Sequence, residues 1–481
     1  MTKIAKKKSA ARAPARASHD TAPPDAFRAF MLSKWKPQKT RKIPLVKGAK
    51  NFHARRRALS ERFPGEVLVI PTGHEKVRAN DTFYRFRPGS DFYYLTGNVE
   101  PDCVLVLEPR GKKGHRDVLF VEPNPGRSDE TFFLDRNKGE LWVGPRMGVP
   151  ESLAHFGVDD CRGLDELEGY LSKIKGPVRV LRGFSEAVEK AVKSNRRKDE
   201  ELATVLSEMR LIKDDLEIRE LQKAIDSTKR GFEDIIARLK VAKTEREIEG
   251  VFFLRARTEG NDVGYGTIAA SGANACILHW TRNDAPVKPG DLVLIDAGVE
   301  ADTLYTADVT RVLPVSGTFS PEQREVYELV LAANLAAIAE VKPGNDFLDP
   351  HRAAMRVLAK GLERMGILKD AEEALREENQ FYRRYTLHNT SHMLGLDVHD
   401  CAKARAETYL DGVLAEGNVL TVEPGLYLQP DDLTLPPELR GIGVRIEDDL
   451  VITADGARLM SAGLPRHPDE VENWMATLLA G

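Results

Sequence analysis

Four acids sit in unusually apolar company. Asp296 ends the run DLVLID, Asp308 precedes VTRVLPV, Glu423 follows VLTV, and Glu447 alternates with Val444 and Ile446 in GVRIE. A carboxylate in such a strand is costly unless it is paired, hydrogen-bonded or bound to metal. Between them lies LHNTSHMLGLDVHD (387–400), which puts His388, His392 and His399 within 12 residues of a chain that has only 11 histidines. On spacing alone, His388 and His392 read as an i, i+4 zinc pair. General acids and bases, or a buried stretch with no chemistry, are equally open readings of the segment. Singly, each acid is a common strand-end or ion-paired residue. Together they would repel, and a divalent cation is the usual remedy for clustered buried carboxylates. Carboxylates with one imidazole form a hard, oxygen-rich site that favours Mn²⁺ over the zinc of thiolate sites. The set also exceeds the needs of one ion and suits two, about 3.5–4 Å apart.

The elements that must position these residues can be read coarsely. The strands carrying Asp296 and Asp308 are joined by a short connection, so a hairpin brings both acids to one place. Glu423 and Glu447 fall in a strand-rich last third with turns expected at Pro424-Gly425 and Gly441–Gly443, and with Asp448 and Asp449 at the rim. Upstream, Ile218, Leu221, Ile225, Phe232, Ile236 and Leu239 form a helical stripe. Thr244 and Glu247 of TERE start a second helix, Ser320-Pro321 a third, and Asp349-Pro350 a fourth. The first unit, about 45–210, contains the runs EVLVIP, DFYYLTG, DCVLVLEP and DVLFVEP, which read as strands, then helices around 150–175 and 185–210. No phosphate loop or metal-spaced cluster appears in it. The whole is α+β, organised as an arm (1–43), an α/β domain (44–212) and a second, larger domain (213–481).

At 42% hydrophobic and 30% charged residues the composition is globular, and no apolar run is long enough to span a bilayer. Cys103, Cys161, Cys276 and Cys401 lie far apart without a CxxC pair, which argues against a disulfide framework and a cysteine-built zinc site and fits a reducing, cytoplasmic setting. Residues 1–43 hold 12 Lys/Arg against two acids, while the rest of the chain has 59 basic and 72 acidic residues. This arm is poor in large apolar side chains and reads as a disordered, solvated tail. Organellar targeting by it stays open; no specific nucleic-acid or membrane partner is read from it.

In order, LIDAG, ADVTR, SHMLGLDVHD, TVEPG and RIEDD resemble the motifs of the M24 metallopeptidases with the pita-bread fold, and most nearly the aminopeptidase P (Xaa-Pro aminopeptidase) branch. SDFYYLTG and EPDCVLVLEP resemble the creatinase-like N-terminal domain of that branch. The likeness covers about 45–465. It implies two divalent metal ions, Mn²⁺ first and Co²⁺ or Zn²⁺ as alternatives. Asp296, Asp308, His392, Glu423 and Glu447 are the implied ligands, with Asp308 and Glu447 bridging. ILHWT matches the segment that gives His279 a substrate-side role. His388 and His399 match the non-ligand histidines, and Arg445 with Tyr427 the pair that supports ligand geometry. Asp397 and Asp400 match no ligand position and are expected to orient neighbours or close a turn. Asp296 and Asp308 are 12 residues apart, one more than the family pattern, and the extra residue belongs in the loop 299–305.

The resemblance implies an aminopeptidase that releases the first residue of peptides with proline second. A hydroxide shared by the two ions attacks the Xaa-Pro bond, Glu423 shuttles the proton, and His399, His388 and His279 serve the substrate. A homodimer or homotetramer is implied as well. A prolidase shares all five ligands and differs in how the far end of the substrate is capped. An inactive pita-bread binding module is the alternative of another class, and retention of all five ligands argues against it.

Overall fold

The computed structural model describes residues 22–36, 40–111 and 114–480. Residues 1–21 and 37–39, just over half of the arm expected to be disordered, lie outside the described residues. The described part of the arm departs from a solvated tail. Asp25–Met31 is helical, Arg28 pairs with Glu130 at 2.9 Å, and Phe27 and Trp35 pack edge-on against Phe133 and Phe132. These aromatics supply apolar contact that the Lys/Ala-rich start lacks.

The first unit is built on a mixed five-stranded sheet in the order Asp160–Gly163, His115–Val121, Val104–Pro109, Val67–Pro71, Val178–Val180. The two outer pairings are parallel and the inner ones antiparallel. Both faces are buried, so the strands read as continuous apolar runs. Leu68, Ile70, Leu105 and Leu107 enter one core, Val67, Val69, Val104 and Val106 the other. The run DFYYLTG, expected to be a strand, is instead the helix Ser90–Thr96. Its residues Asp91–Thr96 are all buried, so no period-2 alternation exists, and Gly97 ends the helix in the left-handed region.

Asp215–Leu239, the helix of the apolar stripe, is capped by a reciprocal box between Asp214 and Glu217. Leu221 and Ile225 join a core that holds side chains of both units, whereas Phe232, Ile236 and Leu239 join a core of the second. One stripe thus ties the two units together. Thr244 caps Glu245–Glu259, Ser320 caps Pro321–Glu340, and Asp349–Arg364 follows with Pro350 in its first turn. The sheet of Ile268–Ser271, Leu292–Ala297 and Val309–Pro314 separates two cores. Leu292, Leu294 and Val312 face Pro321–Glu340 and Asp349–Arg364; Val293, Ile295 and Leu313 face the helices at 215–239 and 245–259.

Among the described residues no helix is long and apolar enough to cross a membrane.

Candidate active site

The hairpin expected around the two aspartates forms: Asp296 pairs with Thr310, and Asp308 lies two residues before it on the partner strand. Between them Gly298 runs so close to the other strand that a Cβ there would collide with the Ala307 carbonyl. The other two acids share a second hairpin. Val422 pairs with Asp448 and Gly425 with Arg445, and this unbroken register sets Glu423 opposite Glu447. The turn expected at Pro424-Gly425 is therefore a kink inside a continuing pair. Proline holds Glu423 extended and leaves no N–H to pair at position 424. The histidine segment lies alongside, Thr421 N–H donating to the His392 carbonyl (2.9 Å) and Glu423 N–H to that of Thr390 (2.8 Å). Glu447 N–H donates to the Thr310 carbonyl (3.1 Å), which joins the two hairpins.

This array brings all five expected ligands, together with His279, His388, His399 and Arg445, to the wall of one cavity of about 560 Å³. Ligand atoms of Asp308, His392 and Glu447 lie within 4.8 Å of one another. His392 Nε2 is 3.3 Å from Asp308 Oδ2 and 3.4 Å from Glu423 Oε1. Its Nδ1–H donates to the Met393 carbonyl at 3.2 Å, which aims the Nε2 lone pair at the acids, the tautomer a metal-bound imidazole needs. Arg445 holds the frame. Its guanidinium donates to Asp296 Oδ2 (2.5 Å), to the Tyr427 hydroxyl (2.9 Å) and to Thr310 Oγ1 (3.1 Å), and Thr310 donates on to Glu447 Oε2 (2.8 Å).

The electrostatics fit a cation. Burial pushes Asp296 up and Glu447 well up, each helped by neighbouring acids, and it raises Glu423 to about 8. Burial opposes a charge on His392 too, but Asp308 and Glu423 outweigh it and lift the imidazole to about 9. A pocket in which buried carboxylates tend to keep protons and a histidine to gain one is short of positive charge. Four carboxylates and an imidazole nitrogen are donors suited to a divalent ion.

The histidines separate in role. His399 has no ring hydrogen bond among the described residues; it stands edge-on to His392 with centroids 4.5 Å apart, and burial and His392 lower its affinity for a proton. His388 was expected to be available to substrate, yet both ring nitrogens are engaged. Nδ1–H donates to the Asn389 carbonyl (2.8 Å), and Nε2 accepts from the Tyr427 hydroxyl (2.7 Å), because that oxygen already accepts from Arg445. His279 is exposed at the cavity mouth. Asp448 and Asp449, expected at the rim, are fully buried. Asp448 pairs with Arg311 at 2.7 Å, and Asp449 accepts from the Asp308 N–H at 3.1 Å. The strand pairing with Val419–Val422 carries them inward.

Residue types and spacing did not reveal four further groups. The Tyr265 hydroxyl contacts Asp296 Oδ1 (2.6 Å) and Asp308 Oδ1. Thr310 links Arg445 to Glu447. Asn334 Nδ2, from Pro321–Glu340, donates to the carbonyls of Val422 (3.1 Å) and Ile446 (3.2 Å), the residues just before two of the acids. Its one signal in the sequence is an amide on an otherwise apolar helix face. Glu245 is wholly buried and gathers four donors from the loop that carries His279. In sequence it reads only as a first-turn acid.

Residues 219–454 match the model of metallopeptidase family M24, and residues 52–180 match the aminopeptidase P N-terminal domain. Xaa-Pro aminopeptidase 1 of Streptomyces coelicolor is 54% identical over 452 residues, covering 93% of this chain and 91% of the relative. The Xaa-Pro aminopeptidase of Escherichia coli is 36% identical, covering 88% and 97%. The structure of aminopeptidase P from E. coli with the inhibitor Pro-Leu superposes with a TM-score of 0.80 at 32% identity, covering 91% of this chain and all of that one. The acid-lined pocket, the hairpins that build it and these matches agree: the chain belongs to metallopeptidase family M24, with an aminopeptidase P N-terminal domain ahead of a pita-bread catalytic domain.

Proposed function

We propose that this enzyme removes the N-terminal residue from peptides whose second residue is proline, and that Asp296, Asp308, His392, Glu423 and Glu447 hold two divalent cations. The single observation that carries this reading is the convergence of all five side chains on one cavity beside His399 and His279. Its volume of about 560 Å³ suits a short peptide segment. Relatives that bear this activity in their names support it over nearly the whole chain. Mn²⁺ is the proposed ion, with Co²⁺ or Zn²⁺ as alternatives, because the donors are dominated by oxygen.

When bound, the cations lower the pKa of a water and polarise the scissile carbonyl. The chain's own residues do the rest. Glu423 takes the water's proton at one carboxylate oxygen and returns it to the leaving nitrogen. His399, with its ring uncommitted, donates to the oxyanion of the tetrahedral intermediate. His388, oriented by Tyr427, borders Glu423 Oε2 at 3.5 Å and steadies it. A prolyl nitrogen offers no N–H, so the ring is held by shape. Ile268, Leu278 and Val398 supply an apolar wall and His279 its edge. Arg445 keeps Asp296 and, through Thr310, Glu447 in place.

We further propose the division at 212/213, a homodimer or homotetramer, and a cytoplasmic setting. The test is hydrolysis of an Xaa-Pro-Yaa tripeptide with added Mn²⁺. Release of the first residue supports the proposal, and cleavage confined to the Xaa-Pro dipeptide overturns it.

A further inference from the structure

His399 is carried by the segment 396–400, which belongs to no strand or helix, and its ring makes no hydrogen bond of its own among the described residues. Its position is therefore set by whatever holds the backbone on either side. Two aspartates do so. Asp397, two residues before it, accepts from Ser90 Oγ at 2.6 Å and lies 3.5 Å from Arg87 Nη1. Arg87 also donates to the Leu396 carbonyl and pairs with buried Glu300 at 2.6 Å. Asp400, directly after His399 and fully buried, accepts from Lys213 Nζ at 2.8 Å and lies 3.3 Å from Arg210 Nη2. Arg210 reaches Asp397 at 3.4 Å and Asp91 at 3.0 Å, which closes a ring of contacts around the segment.

Arg87, Ser90 and Asp91 belong to the N-terminal domain, about 300 residues away in sequence. That domain thus grips a segment of the active site that lacks regular structure. A surface ion pair between domains contributes little by itself. This grip differs because four of its charged groups (Asp91, Arg210, Lys213 and Asp400) are buried, and because both aspartates flank His399.

We propose that Asp397 and Ser90, with Asp400 and its cations, are positioning residues for His399, so that the N-terminal domain contributes to turnover by placing that imidazole. The inference rests on the role given to His399 above. A displacement of about 1 Å at a reacting group costs up to about a hundredfold in rate.

The test is a double-mutant cycle on the intact, Mn²⁺-loaded protein, with kcat and KM measured on an Ala-Pro-Ala tripeptide. Asp397→Asn and Ser90→Ala are each made in the parent and in His399→Ala. Each single variant is expected to lower kcat about tenfold with little change in KM. In the His399→Ala background the same change is expected to lower it less than about twofold, because the group being placed is gone. Equal losses in both backgrounds overturn the inference, as does an unchanged kcat in both single variants. Unchanged turnover in His399→Ala alone is a different failure, that of the role assigned to His399. Ser90→Ala removes one hydroxyl and keeps the cycle interpretable if Asp397→Asn does not fold.

Discussion

Replacing Glu245 by glutamine keeps the shape of the side chain and tests how the loop of His279 is held. The carboxylate is buried. One oxygen accepts from Ser271 N (2.7 Å) and Asn274 Nδ2 (2.9 Å), the other from Trp280 Nε1 (2.8 Å) and Ala285 N (2.9 Å). Glutamine turns one oxygen into an NH₂ that faces two donors. Whichever way the amide turns, one backbone N–H and one side-chain N–H lose their acceptor. An unsatisfied buried donor costs about 1–3 kcal/mol. Asn274, Trp280 and Ala285 are only half-buried, so water recovers part of this and the expected loss is about 2–4 kcal/mol. Urea unfolding followed by tryptophan emission measures it, with Trp280 reporting directly on the contact. Because His279 rides on the same loop, KM for an Xaa-Pro tripeptide should rise several-fold with metal content unchanged. Stability within about 0.5 kcal/mol of the parent, with KM unaltered, would refute this account of the loop.

Glu423→Ala is expected to leave the chain folded and to abolish turnover; near-normal turnover in a peptide assay would remove the proton-shuttle role. His399→Ala should lower turnover while metal content, read by elemental analysis, stays near that of the parent, and loss of metal would mean that the histidines are misassigned. His351 gives a pH signature outside the ligand set. Burial, then Arg383 and Arg352, lower its pKa from 6.5 to about 4. Between those values the unfolded chain takes up a proton that the folded chain refuses, so stability falls as pH drops from about 6.5 to 4, by roughly 3 kcal/mol. His351→Asn should flatten that part of the urea-midpoint profile, and an unchanged slope would show that His351 is not its source.

Much of the site was legible because its parts are locally encoded. Apolar runs broken by single acids marked the strands of Asp296, Asp308, Glu423 and Glu447, and the caps at Thr244 and Ser320 marked where helices begin. The errors came where tertiary context decides. DFYYLTG has strand-like composition, yet it forms the helix Ser90–Thr96, and a fully buried run of this kind carries no periodicity that separates helix from strand. Pro424-Gly425 looks like a turn, but the pairing of Val422 with Asp448 and of Gly425 with Arg445 carries the strands through it. Two adjacent acids look solvated, which puts Asp448 and Asp449 at the rim, whereas their hydrogen-bond donors, Arg311 and the Asp308 N–H, are distant in sequence. Tyr265 and Glu245 left no trace for the same reason: their partners are supplied by the fold. The zinc-like spacing of His388 and His392 misleads, because an i, i+4 pair implies a helix and the segment is extended beside Val419–Val422.

The central claim is that five side chains load divalent cations to cleave before proline. Its most direct test is alanine release from Ala-Pro-Ala by protein stripped with a chelator and titrated with Mn²⁺, beside Ala-Pro and Ala-Ala-Ala. Release is expected to be absent without metal, to saturate near about two ions per chain, and to be confined to the Xaa-Pro tripeptide. Release without metal, or equal cleavage of Ala-Ala-Ala, would contradict it.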